Sequence, residues 1–567
     1  MLDLLFLHAP SVYDFRERAT LWGPISDLVP STPVFDMYPL GFATMLAHLQ
    51  SRGYAVRIAN LAARMVRSPN FDPDRLISAR KARAYGIDLH WLPHAHGALE
   101  VARRVKFYHP GAPVILGGYS ASYFHEELIR LPEVDYVLRG DSAEEPLAEL
   151  MAHIVAGTQP VDVPNLTWQT RDGTVRVNPL TYVPQTLDHL TLDYYPIVKS
   201  VVREVDLLNY VPFSHWLEYP IMASLAVKGC TQDCTICGGS ASAARHISSR
   251  TRPAYRSPEL LARDVRRMGG LGHAPVFLLG DLRQGGLDYA RRFFRAVQGF
   301  AGPVIVEFFW PVDQAFAEEL AAALPNFIVE FSPESHDPRV RRASGKAYTN
   351  AGIEDTIEAC LGVGARRFDL FFMIGLAEQT PGSALETVDY CRHLLTRFDD
   401  GRLIPFTSPL APFLDPGSRA YEQAGRHGYI RHASTLEDHR RLLLQPSWKH
   451  ILSYETQWMS RDMIADVTYE AGFRLNRLKR AVGLISSEKA AETESRIAEA
   501  RRLMAEIDRL MTSLTPTELD AALRALKPQI DRANTSTVCD KEELDVHSGI
   551  VPFKIAKLAQ VGLGRSR

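Results

Sequence analysis

The segment Val227-Lys-Gly-Cys230-Thr-Gln-Asp-Cys234-Thr-Ile-Cys237-Gly-Gly239 contains three of the six cysteines of the chain. Its CxxxCxxC spacing allows three thiolates of one tight loop to bind three irons of a cubane cluster, which leaves the fourth iron open. A closed zinc site is the alternative, but it requires four ligands, usually in two close pairs. The nearest further candidate is His246. The segment therefore predicts an iron–sulfur cluster whose open iron could chelate a small molecule.

Size and composition restrict the class of protein. A chain of 567 residues is long enough for about two to four domains. A formal net charge of -2 provides no basic field for nucleic acid, and no apolar run reaches the length of a bilayer. Residues 2–8 lack the flanks of a signal peptide and read as a strand. Because six cysteines form no disulfide framework and a thiolate cluster suits a reducing compartment, we expect a cytoplasmic protein without nucleic-acid or membrane partners.

Apolar runs of strand length alternate with helical periodicity over residues 1–157. The predicted strands are 2–8, 54–61, 84–90, 113–118 and 135–140, and the predicted helices are 41–52, 74–83, 96–109, 123–131 and 144–156. Five strands with crossover helices predict an α/β fold with a doubly wound, flavodoxin-like parallel sheet. Ligands of such sheets bind at the carboxyl ends of the strands.

Loops at that edge contain the candidate binding residues. The loop after the predicted third strand contains His90, His94 and His96, which lack a core-packing explanation in mid-loop. Surface histidines and a metal site built from them both stay open. The next loop, Gly117-Gly118-Tyr-Ser120, would allow a ligand to approach the backbone closely.

This domain resembles the cobalamin-binding domain of cobalamin-dependent radical S-adenosylmethionine (SAM) enzymes. The resemblance lies in residues 37–42, the turn 52–54, the Gly117-Gly118 loop and residues 135–144 with Gly140. It implies cobalamin contacts from His90, His94, His96, Gly117, Gly118, Ser120 and Gly140. A DxHxxG box is absent after the first strand, and Asp88-Leu-His90 is only a fragment of one. The implied cobalamin is therefore base-off, with its lower axial ligand left open.

Residues 158–222 form a proline-rich connector with strand-like pieces at 165–169 and 175–177 around a turn. Alternation resumes over 223–410, with predicted strands at 223–228, 275–280, 303–310, 327–332, 367–375 and 403–408. Predicted helices include 258–268, 287–298 and 314–324. Six units are too few for a closed eight-stranded barrel, so we expect a partial (β/α)6 barrel with the cysteine loop at its mouth.

This portion resembles the radical SAM superfamily, because the cysteine loop and the motifs that end strands two, four and five occur in the family's order. The resemblance implies a [4Fe-4S] cluster on Cys230, Cys234 and Cys237, with SAM chelating the fourth iron. It also implies contacts of Asp281, Glu334 and Ser335 with the SAM amine or ribose, and of Met373 and Gly375 near its adenine. Two departures are Ile236, where many relatives have an aromatic residue, and the reduction of the glycine-rich acidic segment to Gly280-Asp281.

Residues 411–567 are expected to be a helical C-terminal region, with a long amphipathic helix at 486–511. Polar-tipped aromatic and charged side chains concentrate at Trp448, His450, Tyr454, Trp458 and Arg461. Helix packing explains most such residues, and closure of the active site is the alternative.

The domain order resembles the class B, cobalamin-dependent radical SAM methyltransferases. It implies transfer of a methyl group from SAM via methylcobalamin to a poorly activated carbon, such as a heteroaromatic ring carbon, of a small-molecule substrate in secondary metabolism. It also implies an electron donor of the flavodoxin or ferredoxin type. Two alternatives stay open: a rearrangement or cyclisation without methyl transfer, and a non-catalytic cobalamin carrier or sensor.

Overall fold

The computed structural model describes residues 1–24, 32–204, 211–410, 412–534 and 543. The strands of its N-terminal part are β1 (Leu2–His8), β2 (Val56–Asn60), β3 (Ala82–Asp88), β4 (Val114–Gly117), β5 (Tyr136–Leu138), β6 (Leu166–Gln169) and β7 (Val175–Val177). They form one sheet in the order β2-β1-β3-β4-β5-β6-β7. The first five strands are parallel, which confirms the predicted doubly wound sheet.

Helices cover both faces of this sheet. They are α1 (Leu40–Ser51), α2 (Leu61–Arg67), α3 (Pro73–Ala79), α4 (Ala95–Tyr108), α5 (Tyr119–Tyr123), α6 (His125–Leu128) and α7 (Glu144–Ala156). Successive strand residues point to opposite faces, so Phe6 of β1 joins a buried cluster with Phe42 of α1, whereas Leu7 joins one with Leu99 of α4. Sequence reasoning missed α2, and the helix predicted over 123–131 is divided between α5 and α6.

The connector continues the first sheet. The strand-like pieces expected there are β6 and β7, which form an antiparallel hairpin, and β6 pairs antiparallel with β5. The sheet therefore extends beyond residue 157, where sequence reasoning ended the domain. Helix α8 (Tyr195–Glu204) follows the hairpin.

A second parallel sheet forms the partial barrel. Its part of the chain contains β8 (Met222–Leu225), β9 (Val227–Lys228), β10 (Ala254–Tyr255), β11 (Val276–Leu279), β12 (Val304–Phe308), β13 (Phe327–Glu334), β14 (Arg367–Ile374) and β15 (Leu403–Pro409). Six of these strands pair in the order β15-β14-β13-β12-β11-β8, all parallel, and β9 pairs antiparallel with β10. The predicted partial (β/α)6 barrel is confirmed.

The helices of this barrel are α9 (Ala241–Ser248), α10 (Pro258–Gly269), α11 (Leu287–Val297), α12 (Gln314–Ala323), α13 (Pro338–Ala343), α14 (Asn350–Gly362) and α15 (Pro381–Arg397). Several begin at side-chain caps that the sequence provides. Asp313 accepts from the backbone of α12, Thr349 from that of α14, and Thr380 and Ser383 form a capping box at α15.

The C-terminal region is mainly helical. It contains α16 (Arg419–Glu422), β16 (Tyr429–Arg431), α17 (Leu436–Leu442), α18 (Trp448–Ile451), β17 (Tyr454–Thr456), α19 (Arg461–Ala481), α20 (Ser487–Ser513) and α21 (Pro516–Ala533). Strands β16 and β17 form a small antiparallel ribbon, and α19 packs on α15 and β15. Among the described helices, none combines the length and apolar character needed to cross a bilayer.

The two sheets share their hydrophobic core. Phe42 of α1 and Phe331 of β13 belong to one buried cluster, and Leu7 of β1 and Tyr454 of β17 belong to another. Because each cluster crosses the boundary between the two α/β parts, the packing holds one sheet against the other. The edges at which both sheets would bind ligands consequently border a common space.

Candidate active site

A cavity of about 520 Å³ lies between the two α/β parts. One arm penetrates between the first sheet and its helices, and apolar side chains line it. These are Phe6, Ile115 and Leu138 of the strands with Phe42, Met45 and Leu147 of α1 and α7. The other end is lined by the cysteine loop, through Gly229, Gly238 and Gly239. This apolar arm, together with the glycines at the other end, fits a cofactor that carries an aromatic tail.

The predicted glycine loop lies at this cavity. Gly117, Gly118, Ser120 and Gly140 all line it. Gly118 has a φ of 115°, and a Cβ atom there would lie 2.4 Å from the Cα atom of His90. Only glycine fits this position, because both the backbone angle and the neighbouring chain exclude a side chain.

The three predicted histidines separate into different environments. His90 lines the cavity. His94 is buried and its Nδ1 lies 3.1 Å from the carbonyl oxygen of Ala9, which makes Nδ1 the donor. His96 is buried in α4, where its Nδ1 accepts the N–H of Tyr13 at 3.2 Å. In this structure His96 holds the loop after β1, and its expected cofactor contact stays a prediction.

Histidine 90 belongs to a buried polar cluster. Asp88 accepts from the Nδ1 of His90 at 2.6 Å and from the Nδ1 of His8 at 2.9 Å. Ligand atoms of His8, Asp88 and His94 lie within 4.8 Å of one another. Burial raises the pKa of Asp88, but the neighbouring imidazoles of His8 and His90, which donate to the carboxylate, outweigh burial and hold the pKa below its ordinary value. Sequence reasoning missed His8, which stands 80 residues before Asp88.

The cysteine loop connects β9 to α9. The backbone N–H of Gln232 donates to the Sγ of Cys230 at 3.3 Å, and that of Gly239 donates to the Sγ of Cys237 at 3.3 Å. Such N–H···S bonds stabilise thiolates that bind metal. On the other side of the loop, a Cβ atom at Gly345 would lie 3.0 Å from the Cα atom of Cys234, so the end of α13 packs directly on it.

Burial favours the protonated form of the three thiols of the cysteine loop. Burial raises the pKa of Cys230 to about 11 and that of Cys237 to about 12, and it also raises the pKa of Cys234. Cys237 retains accessible surface, although protein atoms surround it on most sides. Protonated thiols lose their protons when iron binds, so cluster assembly should release protons. The alternative fourth ligand, His246, lies on α9 with its ring centroid 5.8 Å from that of Tyr123. The donor set therefore fits a three-cysteine cluster.

Asp281 has a structural role. Its Oδ1 accepts from the backbone N–H and Nε of Arg283, at 2.9 and 3.0 Å. Its Oδ2 accepts from the Nη2 of Arg283 at 2.6 Å and the backbone N–H of Phe309 at 3.0 Å. The carboxylate is 1% exposed, and these four bonds occupy its acceptor positions. The expected SAM contact of Asp281 stays a prediction, which would require the ligand to compete with these bonds.

Glu307 is the acidic residue that sequence reasoning missed in this region. It lies on β12, and its Oε2 accepts the backbone N–H of Gly280 at 2.9 Å. Burial, followed by the charge of Asp281, raises its pKa to about 7. Burial is the main cause of the raised pKa of Cys230, and the negative charge of Glu307 contributes to it. The carboxyl group of Glu307 therefore lies near the cysteine loop. The sequence did contain a signal for Glu307, because a buried carboxyl group inside the apolar run of the predicted strand 303–310 requires an explanation.

The motif after strand four contains one open acceptor. Glu334 ends β13 with a φ of 68°, and its Oε1 lies 2.6 Å from the Nζ of Lys346. Within the part of the chain that the structure describes, its buried Oε2 has no hydrogen-bond partner. Ser335 differs, because it is fully buried and its hydroxyl accepts the N–H of Asp337 at 3.1 Å. The geometry favours Glu334 for ligand contact and gives Ser335 a turn-forming role, and the SAM contacts expected of both residues stay predictions.

The end of strand five meets the C-terminal region. Gly375 has a φ of 97°, and a Cβ atom there would lie 2.7 Å from the hydroxyl oxygen of Tyr454. Gln379 fixes this turn by accepting the N–H of Gly375 and donating to the carbonyl of Met373, both at 2.9 Å. The Tyr454 side chain is fully buried, and its hydroxyl has no partner among the described residues. The C-terminal region thus contributes a polar group to the expected adenine end of the site.

Asp415 connects the histidine loop to the cysteine loop. Its Oδ1 accepts the indole N–H of Trp91 at 2.8 Å, and its Oδ2 accepts the N–H of Gly238 at 3.0 Å. Asp415 lines the cavity, and burial raises its pKa. Sequence reasoning placed this position in the C-terminal region and assigned it no role at the site. The hydrogen bonds fix the distance between the two sides of the cavity.

Two family models match the chain, one in each of its two α/β parts. The model of the B12 binding domain matches residues 27–151, and that of the Radical SAM superfamily matches residues 225–391. The two domains define the chain as a cobalamin-dependent radical SAM enzyme. Its cofactors are cobalamin, a [4Fe-4S] cluster and SAM, which confirms the cofactors expected from the sequence.

Solved structures share the architecture. The radical S-adenosylmethionine methyltransferase TsrM from Kitasatospora setae, with cobalamin and a [4Fe-4S] cluster bound, gives a TM-score of 0.55 at 16% identity, covering 89% of this chain and 100% of TsrM. TsrM with tryptophan substrate and aza-SAM gives 0.53 at 17% identity, covering 76% and 79%. The cobalamin-dependent radical enzyme OxsB with aqua-cobalamin gives 0.53 at 11% identity, covering 100% and 84%. No curated protein sequence matches the chain.

Proposed function

We propose that the protein is a methyltransferase, which moves a methyl group from SAM by way of cobalamin to a poorly activated carbon of a small-molecule substrate. The observation that carries the proposal is the single cavity bordered by the glycine loop of the B12 binding domain and by the cysteine loop of the barrel. A methyl carrier and a SAM-binding cluster have to face one substrate for such a transfer, and the Asp415 bridge holds their loops together.

The proposed cobalamin site is the apolar arm and its glycine-lined mouth. Phe6, Phe42 and Leu147 would enclose an aromatic tail, and Gly117, Gly118, Ser120 and Gly140 would let the cofactor approach the backbone. When bound, cobalamin supplies a methyl carrier, and the cluster supplies the electron that cleaves SAM. The residues of this chain bind and orient these groups and exclude water from the space between them.

The proposed SAM site lies at the barrel mouth. Cys230, Cys234 and Cys237 would bind three irons. Glu307 would accept the SAM ammonium in place of Asp281, because its carboxyl group lies near the cysteine loop and its Oε2 is held by one backbone N–H. Glu334, with an open acceptor, would bind a ribose hydroxyl, and Met373 with Gly375 and Tyr454 would contact the adenine.

The proposed substrate is a small molecule, with a heteroaromatic ring as the favoured class. The tryptophan bound by TsrM is an example of a ring substrate in a similar fold. The proposal includes a flavodoxin or ferredoxin as electron donor, a role in secondary metabolism, and residence in the reducing cytoplasm.

The test follows the methyl group without requiring the substrate. Protein reconstituted anaerobically with iron, sulfide and cobalamin is incubated with methyl-labelled SAM and a reductant, and the corrinoid fraction is then analysed for label. Label on the corrinoid, with release of S-adenosylhomocysteine, is the expected result. Formation of 5′-deoxyadenosine without any labelled corrinoid would contradict methyl transfer and favour a rearrangement. Labelled corrinoid from the wild-type protein without any 5′-deoxyadenosine would show methyl loading without radical chemistry.

A further inference from the structure

The imidazole of His90 is held in one orientation at the cavity wall. Its Nδ1 lies 2.6 Å from the Oδ2 of Asp88, a carboxylate that is 3% exposed. Because a carboxylate only accepts, Nδ1 carries the proton, and the lone pair of the neutral ring is on Nε2. Among the described residues, no hydrogen-bond partner takes this Nε2, whereas the side chain lines the cavity. The result is a fixed lone pair on Nε2 to which no described residue donates a hydrogen bond.

A second histidine supports this arrangement from behind. The Nδ1 of His8 lies 2.9 Å from Asp88, and its Nε2 lies 3.1 Å from the carbonyl oxygen of Phe35. His8 is therefore held through both ring nitrogens, by the Asp88 carboxylate on one side and by a backbone carbonyl on the other. This contact fixes the position of Asp88, which in turn orients His90. A carboxylate behind a histidine is the arrangement that fixes the tautomer of metal-binding histidines and increases their basicity.

We infer that His90 is an axial nitrogen ligand of the cobalt of cobalamin, positioned by Asp88 and His8. The inference rests on cobalamin binding in this cavity and does not require methyl transfer. Imidazole nitrogen is a common ligand of first-row transition metals. His94 is a poorer candidate, because it does not line the cavity, and His96 is committed to the backbone of Tyr13. The sequence contains no DxHxxG box, so the histidine would reach cobalt from the loop after β3 instead of β1.

The decisive measurement is electron paramagnetic resonance of the Co(II) form of the corrinoid bound to the full-length protein. An axial nitrogen splits the cobalt lines through its nuclear spin. Protein produced with ¹⁴N-histidine should give triplets, and protein produced with ¹⁵N-histidine should give doublets, because only the histidine isotope differs. A spectrum without nitrogen splitting, or one that is unchanged by the isotope, would overturn the inference even though the corrinoid is bound.

Two variants identify which histidine is responsible. His90→Ala should lose the histidine splitting, and His96→Ala, from the same segment, should retain it. Exogenous ¹⁵N-imidazole added to His90→Ala should restore a doublet, which a merely structural role would not give. Persistence of the splitting in His90→Ala would refute the assignment.

Failure of the wild-type chain to bind any corrinoid would instead refute the cobalamin site itself. A last measurement is the zinc and iron content of protein that carries corrinoid but no iron–sulfur cluster. One equivalent of either metal, lost in His94→Ala, would show that His8, Asp88 and His94 bind a separate cation, and it would overturn the inference.

Discussion

The ion pair between Arg250 and Asp141 should be the principal electrostatic contact between the two cofactor domains. Arg250 follows α9 behind the cysteine loop, and Asp141 lines the cavity from the B12 binding domain. Their side chains are 1% and 5% exposed. The guanidinium donates to both carboxylate oxygens, and its Nη1 donates to the carbonyl of Pro184 at 2.8 Å. We predict that Arg250→Ala weakens the docking of α9 because it leaves Asp141 charged, buried and unpaired.

The expected loss is about 3–5 kcal/mol, since removing one partner of a buried pair strands the other charge. Local stability is the appropriate readout, because a chain of several domains does not unfold in a two-state manner. Amide hydrogen exchange in α9 should therefore accelerate by roughly 10²- to 4 × 10³-fold. Adding Asp141→Asn to Arg250→Ala should recover part of the protection, because the stranded charge is then removed.

A matched control comes from Arg291 and Glu319, which form the same two-bond geometry at 2.8 Å with side chains 46% and 35% exposed. Water screens this pair, so Arg291→Ala should leave exchange in α11 and α12 essentially unchanged. Acceleration in α9 of less than tenfold in Arg250→Ala, or an equal effect in both variants, would refute the reasoning.

Three further predictions concern the barrel. Cys234→Ala should remove the cluster iron and its absorbance, whereas Cys391→Ala, at a buried thiol of α15, should retain both. Glu307→Gln should weaken SAM binding measured by equilibrium dialysis. It should nevertheless stabilise the apo protein above pH 7, by about 3 kcal/mol, and leave stability near pH 4 unchanged. The sign follows because the pKa of Glu307 is raised from 4.5 to about 7, so the folded state keeps a proton that the unfolded state releases in that window. Equal amide hydrogen exchange in β12 of the variant and the wild type at pH 8 would contradict it. Tyr454→Phe should stabilise the apo protein by roughly 1 kcal/mol, because a buried hydroxyl without a described partner is removed, and should weaken SAM binding; unchanged SAM affinity would exclude the proposed contact.

Local patterns in the sequence predicted the two sheets and the cysteine loop. Apolar runs and capping residues are short-range signals, and the ends of most strands differ from prediction by only one or two residues. The cluster motif is equally local, because eight consecutive residues supply three thiolates. Asp281 shows the limit of a motif, since the same position that suits a ligand contact also suits a cap when Arg283 follows two residues later.

The remaining site residues depend on contacts between distant parts of the chain. His8 meets Asp88 across 80 residues, and Trp91 meets Asp415 across 324. No periodicity or spacing encodes such pairs, because they arise only when β1 and β3 become neighbours and when the barrel packs on the first sheet. Tyr454 likewise reaches Gly375 only through the fold of the C-terminal region.

These long-range contacts also explain why the two domains must be treated as one site. Gly118 and Gly238 lie on opposite sides of the cavity, and neither tolerates a Cβ atom: one would meet His90 at 2.4 Å and the other would meet Asp415 at 2.8 Å. Gly118 therefore permits His90 to approach the glycine loop, and Gly238 permits Asp415 to approach the cysteine loop. Asp415 then joins the loops through Trp91, the neighbour of His90. A displacement of the cysteine loop would reach the proposed cobalt ligand through two hydrogen bonds and one peptide unit, so binding of the two cofactors should be energetically coupled.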